Sequence, residues 1–182
     1  MDKAIGLVEY KSVATGITAA DDMAKTADVE IIEAYTVCPG KYIVLLAGKL
    51  SAVNSAIEKG INQYSENVID SFILGNPHET IYKAMNGTSE INDVEALGII
   101  ETFSAASIIL AADTAAKAAK VNLVEIRIAR GMCGKSYLLL TGELAAVEAS
   151  VDAGCKALEK SGMLLNKSII PNPDKSIWDK II

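Results

Sequence analysis

The sequence is written twice. Ala4-Ile5-Gly6-Leu7-Val8-Glu9 returns as Ala96-Leu97-Gly98-Ile99-Ile100-Glu101, ninety-two positions later. Asp21 and Lys25 return as Asp113 and Lys117 at the same offset, and Val29 to Val37 is answered by Val121 to Ile128. The offset widens to ninety-four at a short loop, where Gly40-Lys41 matches Gly134-Lys135. It widens again so that Asn76-Pro77 matches Asn172-Pro173 and Ile81-Tyr82 matches Ile177-Trp178. A chain that repeats an ordered set of segments over nearly its whole length builds one unit twice.

Each copy reads strand, helix, strand, loop, strand, helix, strand, short helix. Ser12 is placed to cap a helix running to about Ala27, and Ser104 to Ala119 echoes it. Tyr42 to Ala47 and Ser136 to Thr141 are apolar strands, followed by helices that begin near Leu50 and Leu144. Asn86-Gly87-Thr88-Ser89 is a polar linker, which places the boundary near Ser89 to Asp93 and predicts domains at 1–88 and 94–182. The expected fold class is α+β, with one antiparallel sheet per copy carrying its helices on one face.

Composition narrows what such a chain does. Of 182 residues, 51% are apolar and only 5% aromatic, so the core is expected from Ala, Val, Ile and Leu. The net charge of −6, with no basic block, argues against nucleic acid as a partner. The longest apolar runs, Ile43 to Ala47 and Tyr137 to Leu140, fall far short of the roughly 20 residues that span a bilayer. Met1 to Tyr10 carries charges of both signs and lacks a signal-peptide apolar segment, so a cytoplasmic protein without membrane contact is expected. Three cysteines without CxxC spacing make no disulfide framework. Positive mean hydropathy in so small a chain points to surface buried between subunits, and hence to an oligomer.

The residues with most chemistry sit in the duplicated loops. Thr36-Val37-Cys38-Pro39-Gly40-Lys41-Tyr42 joins two apolar runs, and Gly131-Met132-Cys133-Gly134-Lys135-Ser136-Tyr137 is its later counterpart. A single cysteine near a strand end is most often a small buried hydrophobe. Pro39 and Gly40 nevertheless enforce a turn, which puts Cys38 at a loop tip, and Lys41 stands near enough in sequence to lower its thiol pKa. One such thiol holds no metal cluster alone, whereas a ring of chains supplies several. Cys133 is out of register with Cys38, directly before its glycine, so its thiol points differently and is either a spare loop thiol or a metal contact. Cys155, within the second helix of its copy, reads as a packing residue. His78, the one histidine, has Asp174 as its counterpart, which excludes a twin catalytic role and favours a capping or interface position. Lys25 and Lys117, repeated at one place in both copies, suggest a shared contact surface. No nucleotide-binding glycine fingerprint, zinc spacing or catalytic motif occurs, and no enzyme is expected.

The ordered set Ala-Ile-Gly-Leu-Val-Glu, Asp21 to Lys25, Val29, Gly40-Lys41, Gly48-x-Leu50-x-Ala52-Val53 and Asn76-Pro77-His78 resembles the BMC domain of bacterial microcompartment shell proteins. The second copy resembles it again, from Ala96 to about Ile181. Both copies open on the Ala-x-Gly-x-x-Glu strand, as in the unpermuted version of this ferredoxin-like domain. With Cys38-Pro39-Gly40-Lys41 in the first loop, the chain is similar to the PduT-like, tandem-domain type. That resemblance implies a pseudohexameric homotrimer with six domains around a central pore, lined by Pro39, Gly40, Met132, Cys133 and Gly134. It implies a hexagonal layer of neighbouring shell proteins in the cytoplasm, with Lys25, Lys117, Asn76, His78 and Asn172 at the tile edge.

It implies, further, one 4Fe-4S cluster per trimer, bound by Cys38 of each subunit for electron or cluster transfer across the shell, with a redox enzyme inside as partner. Three thiolates ~5 Å apart repel by about 3 kcal/mol per pair at an effective dielectric near 20, so metal binding has to displace protons. Two departures from the family pattern stand out. Asn76 and Asn172 occupy places where many members carry an arginine, and Met132 and Cys133 stand where small residues are expected. An open pore conducting small metabolites, and a small-molecule-sensing tandem regulator, are the alternatives.

Overall fold

The computed structural model describes residues 4–91, 94–129 and 131–181. Met1 to Lys3, the Asn92-Asp93 end of the expected boundary and Ile182 therefore lie outside the described residues. Two compact units are present, and they interleave the two sequence copies. Unit 1 holds the chain up to Pro77 together with Ser104–Ala106 and Ala129–Gly134, and unit 2 holds the remainder.

In unit 1, β1 (Ala4–Tyr10), α1 (Val13–Thr26), β2 (Val29–Val37), β3 (Lys41–Gly48), α2 (Leu50–Gln63) and β4 (Val68–Leu74) follow in order. The strands form one antiparallel sheet in the order β2-β3-β1-β4. Ser12 caps α1 by accepting the Thr15 N–H at 3.4 Å. Ala19 and Met23 of α1 and Val53, Ala56 and Ile57 of α2 pack with Val8, Tyr10, Val44 and Leu46 of the sheet. The repeated glycine of the first strand has a packing reason. A Cβ on Gly6 would lie 2.7 Å from an Ile57 carbon, and one on Gly98 of the second copy 2.7 Å from Leu140 and 2.8 Å from Val151.

Unit 2 begins with α3 (Thr80–Met85) and continues through β5 (Ala96–Thr102), α4 (Ala105–Ala118), β6 (Asn122–Ile128), β7 (Ser136–Gly142), α5 (Leu144–Ala157), β8 (Leu164–Ile170) and α6 (Lys175–Ile181). The first turn of α4 is counted with unit 1. Its sheet repeats the first arrangement, β6-β7-β5-β8, all antiparallel. Helix α3, which belongs by sequence to the first copy, packs on β6. Trp178 of α6 joins Leu97, Val124 and Leu139 in a buried cluster. Two α+β units, each with a four-stranded antiparallel sheet, are what the duplicated pattern predicts.

Candidate functional site

Strands β2 and β3 pair through Val37 and Lys41, which leaves Cys38, Pro39 and Gly40 as the connecting turn. The Gly40 N–H donates to the Val37 carbonyl at 3.0 Å, and Gly40 adopts φ +95°, a conformation that side chains rarely take. The Cys38–Pro39 peptide is cis. The backbone N–H of Cys38 donates to the Ala129 carbonyl at 3.3 Å, so the second-copy segment Ala129–Gly134 is held against the first loop within unit 1. Cys38 is half-buried. With Val13, Thr36, Val37, Pro39, Gly40 and Gly131 it lines an open concavity of about 380 Å³.

Lys41, the neighbour expected to act on the Cys38 thiol, has a carboxylate as its partner. Its Nζ donates to Glu9 Oε1 at 2.7 Å, and the Glu9 side chain is wholly buried. The second Glu9 oxygen accepts the backbone N–H of Ala105, the first residue of α4, at 2.8 Å. Asp70 of β4 accepts the Ser104 hydroxyl one residue earlier. Burial pushes the Glu9 carboxyl above its ordinary range, and outweighs the lowering by the Lys41 and Ala105 donors. Gly134 completes the arrangement. A Cβ on it would lie 2.9 Å from Lys41 Nζ and 3.2 Å from the Cys38 carbonyl oxygen.

Glu9 is the residue that sequence reasoning missed. Its signal was a carboxylate repeated as Glu101 within an otherwise apolar buried strand, where a charge stays only if it is paired. Cys133 is exposed at φ +52°, Met132 half-buried and Gly134 buried. Cys155 is buried, and burial raises its thiol pKa. Among the described residues no group of three or more His, Cys, Asp or Glu side chains is placed to hold a metal ion.

The remaining singled-out residues fall on helix ends or on the loops that follow β4 and β8. Lys25 pairs with Asp21, both exposed. Lys117 pairs with Asp113 at 2.6 Å, but here the aspartate is buried and also accepts the His78 backbone N–H at 2.7 Å. The His78 ring shares a 2.8 Å hydrogen bond with Thr80 Oγ1 at the start of α3. Asn76 and Asn172 are exposed. Asp174, the counterpart of His78, is exposed, and its carboxyl is held below the usual range by the Ser176 hydroxyl and N–H.

The expected one-sided helix cover of the sheet holds for α5, which packs on the Gly98 face of β5. Trp178 of α6 packs instead on the opposite, Leu97 face, because successive strand residues point to opposite sides. A sheet ordered 2-3-1-4, built twice around an Ala-x-Gly-x-x-Glu strand, identifies the class. The profile of the BMC domain matches residues 4–77 and 96–173, and the chain belongs to that family, with two domains in tandem. Over 182 residues it is 36% identical to the bacterial microcompartment shell protein PduT of Citrobacter freundii, covering 100% of this chain and 99% of that one. It is 40% identical over 81 residues to the shell protein EutM of Salmonella typhimurium, an alignment that takes in 44% of this chain and 81% of that protein. The crystal structure of a microcompartment protein from Desulfitobacterium hafniense DCB is similar at a TM-score of 0.85 and 49% identity, covering 98% of this chain and 99% of that one. Among the described residues no helix is long and apolar enough to cross a membrane.

Proposed function

We propose that the chain is a structural tile of a bacterial microcompartment shell. It works as a homotrimer whose six BMC domains, spanning 1–88 and 94–182, ring a central pore and join neighbouring shell proteins in a hexagonal layer. Lys25, Lys117, Asn76, His78 and Asn172 belong to the tile edge. The pore holds one 4Fe-4S cluster, bound by Cys38 of each subunit, and passes electrons or the cluster itself to a redox enzyme inside. The observation that carries the cluster is the setting of Cys38: a half-buried thiol at a turn tip, facing an open concavity, present once per chain. One such thiol per chain suits a group that takes equal ligands from symmetric copies.

When bound, such a cluster supplies one-electron chemistry at a potential set by its ligands and exposure. The chain's own residues do the holding. Lys41 and Glu9 fasten the foot of the turn, and the Cys38 N–H is tied to Ala129. Cys38 has to ionise before it binds metal, so loading releases protons and weakens in acid.

A second reading has support in the same concavity, which is open and bordered by Gly40 and Gly131 without side chains. There the tile conducts small metabolites through an empty pore. Anaerobic purification with iron and sulfide analysis separates the two. Iron that disappears in Cys38→Ser while the oligomer persists supports the cluster; a colourless, iron-free wild-type protein supports the open pore.

A further inference from the structure

Helix α3 runs only from Thr80 to Met85, and it is tied at both ends. Just before it, the His78 N–H donates to the buried Asp113 carboxylate at 2.7 Å. Ile81 and Ala84 are buried, and the helix packs on β6. At its far end one carbonyl collects two donors from a single residue. The Tyr82 oxygen accepts the Asn86 backbone N–H at 3.2 Å and the Asn86 side-chain Nδ2 at 2.9 Å. Thr88 then gives its N–H to the Lys83 carbonyl at 2.9 Å. These bonds satisfy carbonyls that the end of a helix leaves open.

The residue that closes the helix carries a labile group. Asparagine is a thermolabile side chain, and of the asparagines in the sequence only Asn86 is followed by glycine. The next backbone nitrogen attacks an asparagine side-chain carbonyl when nothing screens it, and Gly87 has no side chain to do so. Both residues are exposed, so water reaches the pair. The cap and this reaction compete for one amide. While Nδ2 donates to Tyr82, the side chain is held back along the helix. With Asn86 at φ −94° and ψ 2°, the backbone also has to turn before a five-membered ring closes.

We propose that Asn86 is a self-modifying site, at which the Gly87 amide nitrogen displaces ammonia from the side chain whenever the α3 cap opens. A bond forms between that nitrogen and Asn86 Cγ, and the Cγ–Nδ2 bond breaks. The Gly87 amide proton leaves with the departing nitrogen as ammonia. Water then opens the cyclic imide at either carbonyl, giving aspartate or isoaspartate, and no electrons are exchanged. The product does not restore the cap. A carboxylate has no N–H for the Tyr82 carbonyl, and its charge stands at the negative end of the helix dipole. Each event therefore loosens the hold of α3 on β6 irreversibly.

Incubation of the intact protein in warm buffer, followed by peptide mapping, tests the site. The expected result is a progressive mass change of NH2 exchanged for OH, first in the peptide that carries Asn86. Enzymatic carboxyl methylation should detect isoaspartate in that peptide, and Asn86→Gln should abolish both signals. In guanidinium-unfolded protein the same position should react about tenfold to a hundredfold faster, because opening the folded cap breaks two hydrogen bonds. Asn86→Asp, which sets one product in place, should speed hydrogen exchange of the α3 amides and leave those of β5 unchanged. An Asn86 that stays intact while other asparagines convert, or that converts equally fast folded and unfolded, overturns the proposal. So does an Asn86→Asp chain whose α3 amides exchange as in the wild type.

Discussion

Lys41 Nζ meets Glu9 Oε1 at 2.7 Å, and the carboxylate it reaches is wholly buried. Lys41 is the first residue of β3, three places beyond Cys38, and Glu9 also holds the start of α4 through the Ala105 N–H. One carboxylate therefore ties the cysteine turn to a helix from the other copy of the repeat. A buried ion pair is weak evidence of net stability, because desolvation offsets most of the attraction. It is strong evidence that neither partner can be lost alone.

Lys41→Met should destabilise the protein by about 3–5 kcal/mol, because it strands the Glu9 charge in the interior. Adding Glu9→Gln to the same chain should recover a large part of that loss, since no bare charge remains. Urea unfolding of the two single variants and the double variant measures the coupling. Simple addition of the two single effects would show that the pair does not act as a unit.

Acid titration gives an independent check on Glu9. Its folded pKa lies above the ordinary 4.5, chiefly because burial penalises the charged form. A carboxyl raised on folding contributes stability that is fully present below its unfolded value, and this contribution is lost as pH rises through the folded value. The Glu9→Gln variant should therefore lose that downward slope just above pH 4.5 while keeping the slopes due to other carboxyls. Thermal melts from pH 4 to pH 8 read it directly. Parallel curves for the variant and the wild type would contradict the assignment.

Gly134→Ala should cost about 1–3 kcal/mol, more than Gly40→Ala. Both glycines have positive φ, +85° and +95°. A methyl on Gly40 meets open space, whereas one on Gly134 presses on the Lys41 ammonium and the Cys38 carbonyl. On the proposed cluster reading, the variant at 134 should also show reduced iron per chain after anaerobic purification. Equal stability losses at both positions would mean that the second loop does not bear on the first.

On the proposed cluster reading, Cys133→Ser should leave iron content within error of wild type, while Cys38→Ser removes it. The two cysteines stand in matching loops but differ in exposure and register, and Cys133 does not line the concavity around Cys38. Iron lost equally from both variants would assign the ligands to both loops.

Much of the fold was legible because duplication shows every pattern twice. The repeated Ala-x-Gly-x-x-Glu strand, the Ser12 and Ser104 helix starts and the glycine-bearing loops all fall on elements of the expected type. The place of Cys38 at a turn tip was equally readable from Pro39 and Gly40. What escaped was which neighbour covers which face. Periodicity marks an apolar side of a helix without naming its cover, so the packing of α3 on β6 had no local signal. The partner of Lys41 escaped for a related reason. Glu9 lies 32 residues away in sequence, and proximity along the chain favoured Cys38. One difference was visible and went unused: α4 reads Ala-Ala-Ser-Ile-Ile-Leu-Ala-Ala, apolar almost all round, whereas α1 carries threonines and two aspartates. A helix apolar on every side is one that is surrounded.

The interleaving of the units has a consequence for the gene. Scission at the linker would release a leading half that keeps α3 without β6 to rest it on. The trailing half would open α4 without the Glu9 carboxylate at its first amide. Each half alone would therefore lack a contact that the intact chain makes within one of its units.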